Sequence, residues 1–171
     1  NNNIFYYFYE FSKSLLFFVL LFCFMNLQKS LSFFSLFEIA TPNLISIIIF
    51  FCVIRFNINP SNTVLFFLGL IYDIINGDNL GTTTIFLLLF KYFTKIMLYE
   101  KFNKINQEEW IFFTLIFIFS FVIVFLLNIV INLSVPELSP TFFHIGITLI
   151  LFPIINIGIN FFSFVTHFIK S

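Results

Sequence analysis

The chain has 171 residues, 60% of them hydrophobic and 9% charged, with a mean hydropathy of +1.07 and eight acidic side chains against eight basic ones. Soluble domains carry about 25% charged residues, so this composition specifies an integral membrane protein. A spanning helix takes about 20 residues, which limits a chain of this length to roughly six or seven spans and excludes a large extramembrane domain. The balanced charge offers no basic patch for nucleic acid.

The first predicted span covers residues 9–27 and is densest at Leu15–Met25. Lys13 ahead of this run resembles a signal sequence. The polar, bulky Asn26-Leu27-Gln28-Lys29 offers no small-residue cleavage pattern, so a retained anchor is expected. Ser30–Thr41 carries Glu38, is too short to span, and is expected to be interfacial or re-entrant. Pro42 is expected in the first turn of the second span, residues 43–55. Asn57-Ile58-Asn59-Pro60 is a turn, and the third span follows at 61–75. Asn76-Gly77 is a turn dipeptide whose residues both tolerate positive φ. Thr82 or a neighbouring threonine is expected to cap the fourth span, residues 83–98, by accepting a backbone N–H. Tyr99–Glu109 reads as a polar loop, and Trp110 marks an interface. The fifth span covers 111–133. Ser134–Pro140, with Glu137, is a loop. The sixth span covers 141–168, is long enough to tilt, and is predicted to kink at Pro153. The expected fold is an all-α membrane domain, a compact bundle of about six transmembrane helices.

Cytoplasmic loops carry excess Lys and Arg. With the N-terminus inside, Lys13, Arg55, Lys91, Lys95, Lys101, Lys104 and Lys170 fall inside and Lys29 alone falls outside, which accounts for all eight basic residues. Both termini are therefore expected in the cytoplasm, with the turn after Asp73 on the outer face.

Asp73 closes an apolar run that begins near Val64. An acid at a membrane helix centre costs about 2.5–3.5 kcal/mol to insert, so it is a functional candidate by default. Lying about three residues from the end of its run, at ~1.5 Å per residue, it sits roughly 5 Å below the interface, which lowers that cost. Gly69, four residues earlier on the same face, would admit a neighbouring helix beside the acid. Asp73 is then either an internal cap or packing acid, or a contact for a partner or ligand. Gly77 and Gly81 have small-xxx-small spacing but lie in a turn, so they make no helix-dimer motif.

Asn128 with Asn132, and Asn156 with Asn160, are spaced four apart and share helix faces, as interhelical glue or as a ligand-facing stripe. His144 is a candidate for a bond to another helix, and His167 beside Lys170 for the interface. Cys23 and Cys52 read as small apolar packing residues. Glu108 and Glu109 read as solvated loop charges. The sequence has no Gly-rich phosphate loop, paired carboxylates or Cys/His cluster. No catalytic residue, metal or cofactor is expected, and an intramembrane enzyme is disfavoured.

The run Gly69-Leu-Ile-Tyr-Asp73-Ile-Ile-Asn-Gly77-Asp-Asn-Leu80-Gly81 resembles the rod shape-determining protein MreD family, in which a glycine, an acid, a second glycine and a Leu-Gly pair mark the turn between two spans. Thr41-Pro42-Asn43-Leu44 is similar to that family's opening of the second span, and Leu151-Phe152-Pro153 to the proline of its last span. The resemblance implies a small protein of the bacterial inner membrane, similar in fold to the substrate-binding components of vitamin transporters. It implies a non-enzymatic scaffold for cell elongation and peptidoglycan synthesis. Its partner would be MreC, and through MreC it would join MreB, RodA and a penicillin-binding transpeptidase. It brings no catalytic residues. A different function on the same architecture is the substrate-binding component of a vitamin or metabolite importer. That function needs a pocket between helices, with Asn128, Asn156 and His144 as candidate linings.

Overall fold

The computed structural model describes the backbone of all residues except 1, 38, 57, 78, 101–104, 134–137 and 171, and the side chains of these except 2–11, 13, 36, 98–100, 105–108 and 161–170. The expectations for Glu38, Glu108, Glu137 and His167 lie outside the described side chains. The described residues form six α-helices: α1 (Asn2–Leu31), α2 (Leu44–Ile54), α3 (Asn62–Asn76), α4 (Thr82–Glu100), α5 (Ile105–Asn132) and α6 (Leu138–Lys170), with a 3₁₀ turn at Ser35–Phe37. Helix α4 runs to Glu100 and α5 starts at Ile105. Within the expected polar loop Tyr99–Glu109, residues 99–100 and 105–109 are thus helical, because Glu and Gln side chains are polar yet favour helix.

Among the described residues three helices are long and apolar enough to cross a membrane: Ser14–Leu31 within α1, Glu109–Asn132 within α5 and Leu138–Asn160 within α6. Helix α2 has 11 residues and α3 has 15. At ~1.5 Å per residue α2 reaches about 17 Å, roughly half of a ~30 Å hydrocarbon core. It is apolar around its whole circumference, which suits a helix enclosed by protein. Nine of its 11 residues are buried, against α1, α4 and α5.

Prolines precede α2 and α3 in the same way. Asn43 and Ser61 are the N-caps, accepting the N–H of Ser46 and Val64 respectively. Pro42 and Pro60 each stand one residue ahead of their caps, outside the helix. Pro42 was expected within the first turn. The asparagine that follows is the stronger capping residue, so the helix begins after it.

Phenyl rings fill the centre. Phe113 and Phe152 stack at 4.3 Å, Phe51 and Phe152 at 5.2 Å, and Phe50 meets Phe113 and Phe152 edge-on. Phe86 and Phe90 extend the cluster to α4. The outer surface is apolar as well, with Leu16, Phe67, Leu115, Val130, Ile150 and Ile157 all largely exposed. Gln28, Asp73, Thr84, Lys91, Glu109 and Thr148 are buried instead. A chain folded against water seldom exposes so many large apolar side chains while burying these polar ones.

Polar contacts between helices gather at two ends. At one, α1 ends on α3: Lys29 Nζ donates to the Ile75 carbonyl and Gln28 Nε2 to the Tyr72 hydroxyl. At the other, Arg55 at the C-cap of α2 donates to Glu109 on α5 and to Asn156 and Asn160 on α6. The polar sequence context of Glu109 suggests a solvated charge. Glu109 is 5% exposed and forms a bidentate pair with Arg55. A burial this deep requires a partner, and that partner stands on another helix.

Candidate functional site

A buried polar arrangement joins α3 to α4. Asp73 is 0% exposed. Its carboxylate accepts the Gly81 N–H at 2.7 Å and the Thr83 N–H at 3.1 Å, with the Thr82 hydroxyl at 3.4 Å. A helix N-terminus leaves N–H groups without intrahelical partners and carries partial positive charge, so a carboxylate is well placed there. Asp73 therefore caps α4 from the preceding helix. The expected threonine cap is corrected accordingly. Thr82 Oγ1 donates instead, to the Asn79 carbonyl at 2.9 Å.

Gly69 faces the same junction. A Cβ built on it would lie 2.5 Å from Thr84 Cα, so the two backbones meet where any other residue would separate them. Gly77 ends α3 in the left-handed region at φ 73°, and its N–H returns to the Asp73 carbonyl. Gly81 also has positive φ, at 96°. Both positions favour a residue without Cβ. Leu80 between them is largely exposed. The structure thus brings Gly69, Asp73, Gly77 and Gly81 into one corner and turns Leu80 outward.

The start of α2 lies beside this corner. The Leu44 N–H donates to Gln28 Oε1, and the Asn43 N–H donates to Thr148 Oγ1. Thr148 in turn donates to the His144 carbonyl. The ring of His144 bonds the Thr41 carbonyl, which requires its Nδ1 to carry the proton. Thr148 is ten residues into α6, about 15 Å from its start at ~1.5 Å per residue. The approach to α2 therefore runs along α6 rather than across its end.

Between these elements lies a cavity of about 430 Å³. Phe86, Leu87, Phe121 and Phe125 form apolar walls, and Gln28, Tyr72, Thr83, Asn128 and His144 supply polar atoms. The volume is within the ~300–1,000 Å³ usual for small-molecule sites. Asn128 Oδ1 is buried without a hydrogen-bond partner. Of the residues proposed for a pocket, Asn128 and His144 line it, while Asn156 is engaged by Arg55 at the opposite end.

Pro153 lies elsewhere, inside α6. Proline has no N–H, so the carbonyl of residue 149 loses its helical donor. Trp110 Nε1 donates to that Leu149 carbonyl at 3.3 Å, fastening α5 to α6 at the proline.

Sequence reasoning did not find Gln28, Tyr72 or Thr148. Gln28 had a local signal, a polar residue at the end of an apolar run. Tyr72 and Thr148 had none. Among the described residues no group of three or more His, Cys, Asp or Glu side chains is placed to hold a metal.

Together these features define an all-helical bundle with membrane-spanning helices, a capped corner and a cavity at one end. The chain matches no family model, and no curated protein or solved structure matches it.

Proposed function

We propose that this chain is a six-span membrane scaffold of the bacterial cell-elongation complex, of the MreD kind that its sequence resembles. It stands in the cytoplasmic membrane with both termini inside, and it catalyses no reaction itself. An MreC-like single-span protein binds it and links it to MreB, RodA and a penicillin-binding transpeptidase. The architecture is similar to that of transporter substrate-binding components.

The observation that carries this reading is the use of Asp73. Its carboxylate holds two backbone N–H groups at the α4 N-terminus, a structural task that explains why the motif needs its acid, its close-approach glycine and its turn glycines together. Six crossings fit a bundle with polar groups at two ends and an apolar exterior. The short α2 is completed by the re-entrant approach along α6. Affinity purification of the full chain in mild detergent, followed by mass spectrometry, tests the scaffold. Recovery of an MreC-like protein is expected, and recovery of no elongation protein contradicts the proposal.

The cavity favours a second reading, the substrate-binding component of an importer. An apolar-walled space with a few convergent polar atoms is what a small ligand requires. Native mass spectrometry separates the two functions: a retained small molecule supports the importer, and a ligand-free chain that binds MreC supports the scaffold.

A further inference from the structure

Lys91 is 8% exposed yet sits in an apolar bundle. Its ammonium donates to Asn62 Oδ1, a neutral acceptor. A buried ammonium ordinarily has a carboxylate beside it, because desolvating a lone charge is expensive. The two carboxylates with described contacts are engaged elsewhere, Asp73 with the start of α4 and Glu109 with Arg55. A second cation makes matters worse. Lys95, one turn further along α4, is close enough to act on Lys91 electrostatically. Two cations therefore face one place with no described anion between them.

That place is a cavity of about 570 Å³, lined by Asn59, Ser61, Asn62, Lys91, Tyr92 and Lys95 together with Leu88 and Leu89. The lining includes the first turn of α3, where Ser61 is the N-cap. The N–H groups of that turn add positive potential to the two ammonium groups. The cavity is at the Arg55 end of the bundle, by the charge count the cytoplasmic end. Tyr92 on its rim is 59% exposed toward the apolar exterior. Basic pockets between helices on this side suit phosphate head groups.

We propose that this cavity binds a phosphate group, with Lys91 and Lys95 as the paired cations and Asn62 orienting Lys91. The site rests on the bundle standing in a membrane and is independent of the scaffold reading. The phosphate has two possible sources, an anionic phospholipid or free inorganic phosphate.

The test uses the full chain purified in mild detergent, with native mass spectrometry and thermal stability as readouts. Phosphatidylglycerol, phosphatidylcholine and inorganic phosphate are added separately. If the source is lipid, phosphatidylglycerol adducts exceed phosphatidylcholine adducts severalfold and raise the melting temperature, while inorganic phosphate changes neither. If the source is free phosphate, inorganic phosphate alone raises the melting temperature saturably. In either case Lys95→Gln, which leaves the buried Lys91–Asn62 bond in place, lowers adduct retention or stabilisation at least tenfold. Lys91→Gln does so more strongly if it folds. Equal retention of both lipids with no response to phosphate overturns the proposal, as does binding that Lys95→Gln leaves unchanged.

Discussion

Asp73 and Gly69 do different work at one junction, and substitution separates them. Asp73→Leu leaves the N–H groups of Gly81 and Thr83 without their acceptor, at about 1–3 kcal/mol for each buried donor. Asp73→Asn keeps one carbonyl oxygen and should lose about half as much. Thermal unfolding in mild detergent gives this order if the acid is a cap, and equal behaviour of the two variants removes that role. Gly69→Ala drives a methyl group against Thr84 Cα, where backbone cannot yield as a side-chain tip does. A loss of roughly 1–3 kcal/mol is expected. Gly77→Ala meets no neighbouring atom and suffers only its positive φ, about 1 kcal/mol. A melting temperature lowered more by Gly77→Ala than by Gly69→Ala would contradict the close approach. The acid, the glycines and their spacing were legible in the sequence because they act within one local segment. The donor at Thr83 was also local, yet the pattern of three threonines suggested a cap from the wrong residue.

At the scale of elements, the bundle is held by pairs that lie far apart in the chain. Trp110 supplies the donor that Pro153 withholds from Leu149. Trp110→Phe should therefore cost about 1 kcal/mol of stability. In a Pro153→Ala background, where the helix can supply its own N–H, the same change should cost much less. A double-mutant cycle measures the difference, and additive effects would show that the two residues are uncoupled. Arg55 joins α2 to α5 and α6. Arg55→Leu leaves Glu109 buried and unpaired, so a loss near the low end of about 3–5 kcal/mol is expected, given the partial exposure of Arg55. A melting temperature unchanged by this variant would refute the link. The helices themselves were readable from apolar runs, turn dipeptides and prolines. The pairs were not, since nothing local in a sequence brings position 55 to 109 or 110 to 149. Polarity misled at Glu109 for the same reason: a charge looks solvated until its partner is found.

At the scale of the molecule, composition specified a membrane protein, and the folded chain adds how polar groups are distributed within it. One end carries the capped corner, the start of α2 and the 430 Å³ cavity. The other carries the Arg55 cluster and the lysine-lined cavity. The scaffold and the importer alternative both depend on which end faces the cytoplasm. Labelling of intact cells with a membrane-impermeant maleimide decides this most directly. With Cys23 and Cys52 replaced by alanine, single cysteines are placed at two exposed turn positions, Asn79 beside the corner and Asn59 beside the lysines. Labelling of Asn79→Cys in intact cells, and of Asn59→Cys only after permeabilisation, is the result this account requires. The reverse pattern, or labelling of both in intact cells, contradicts it.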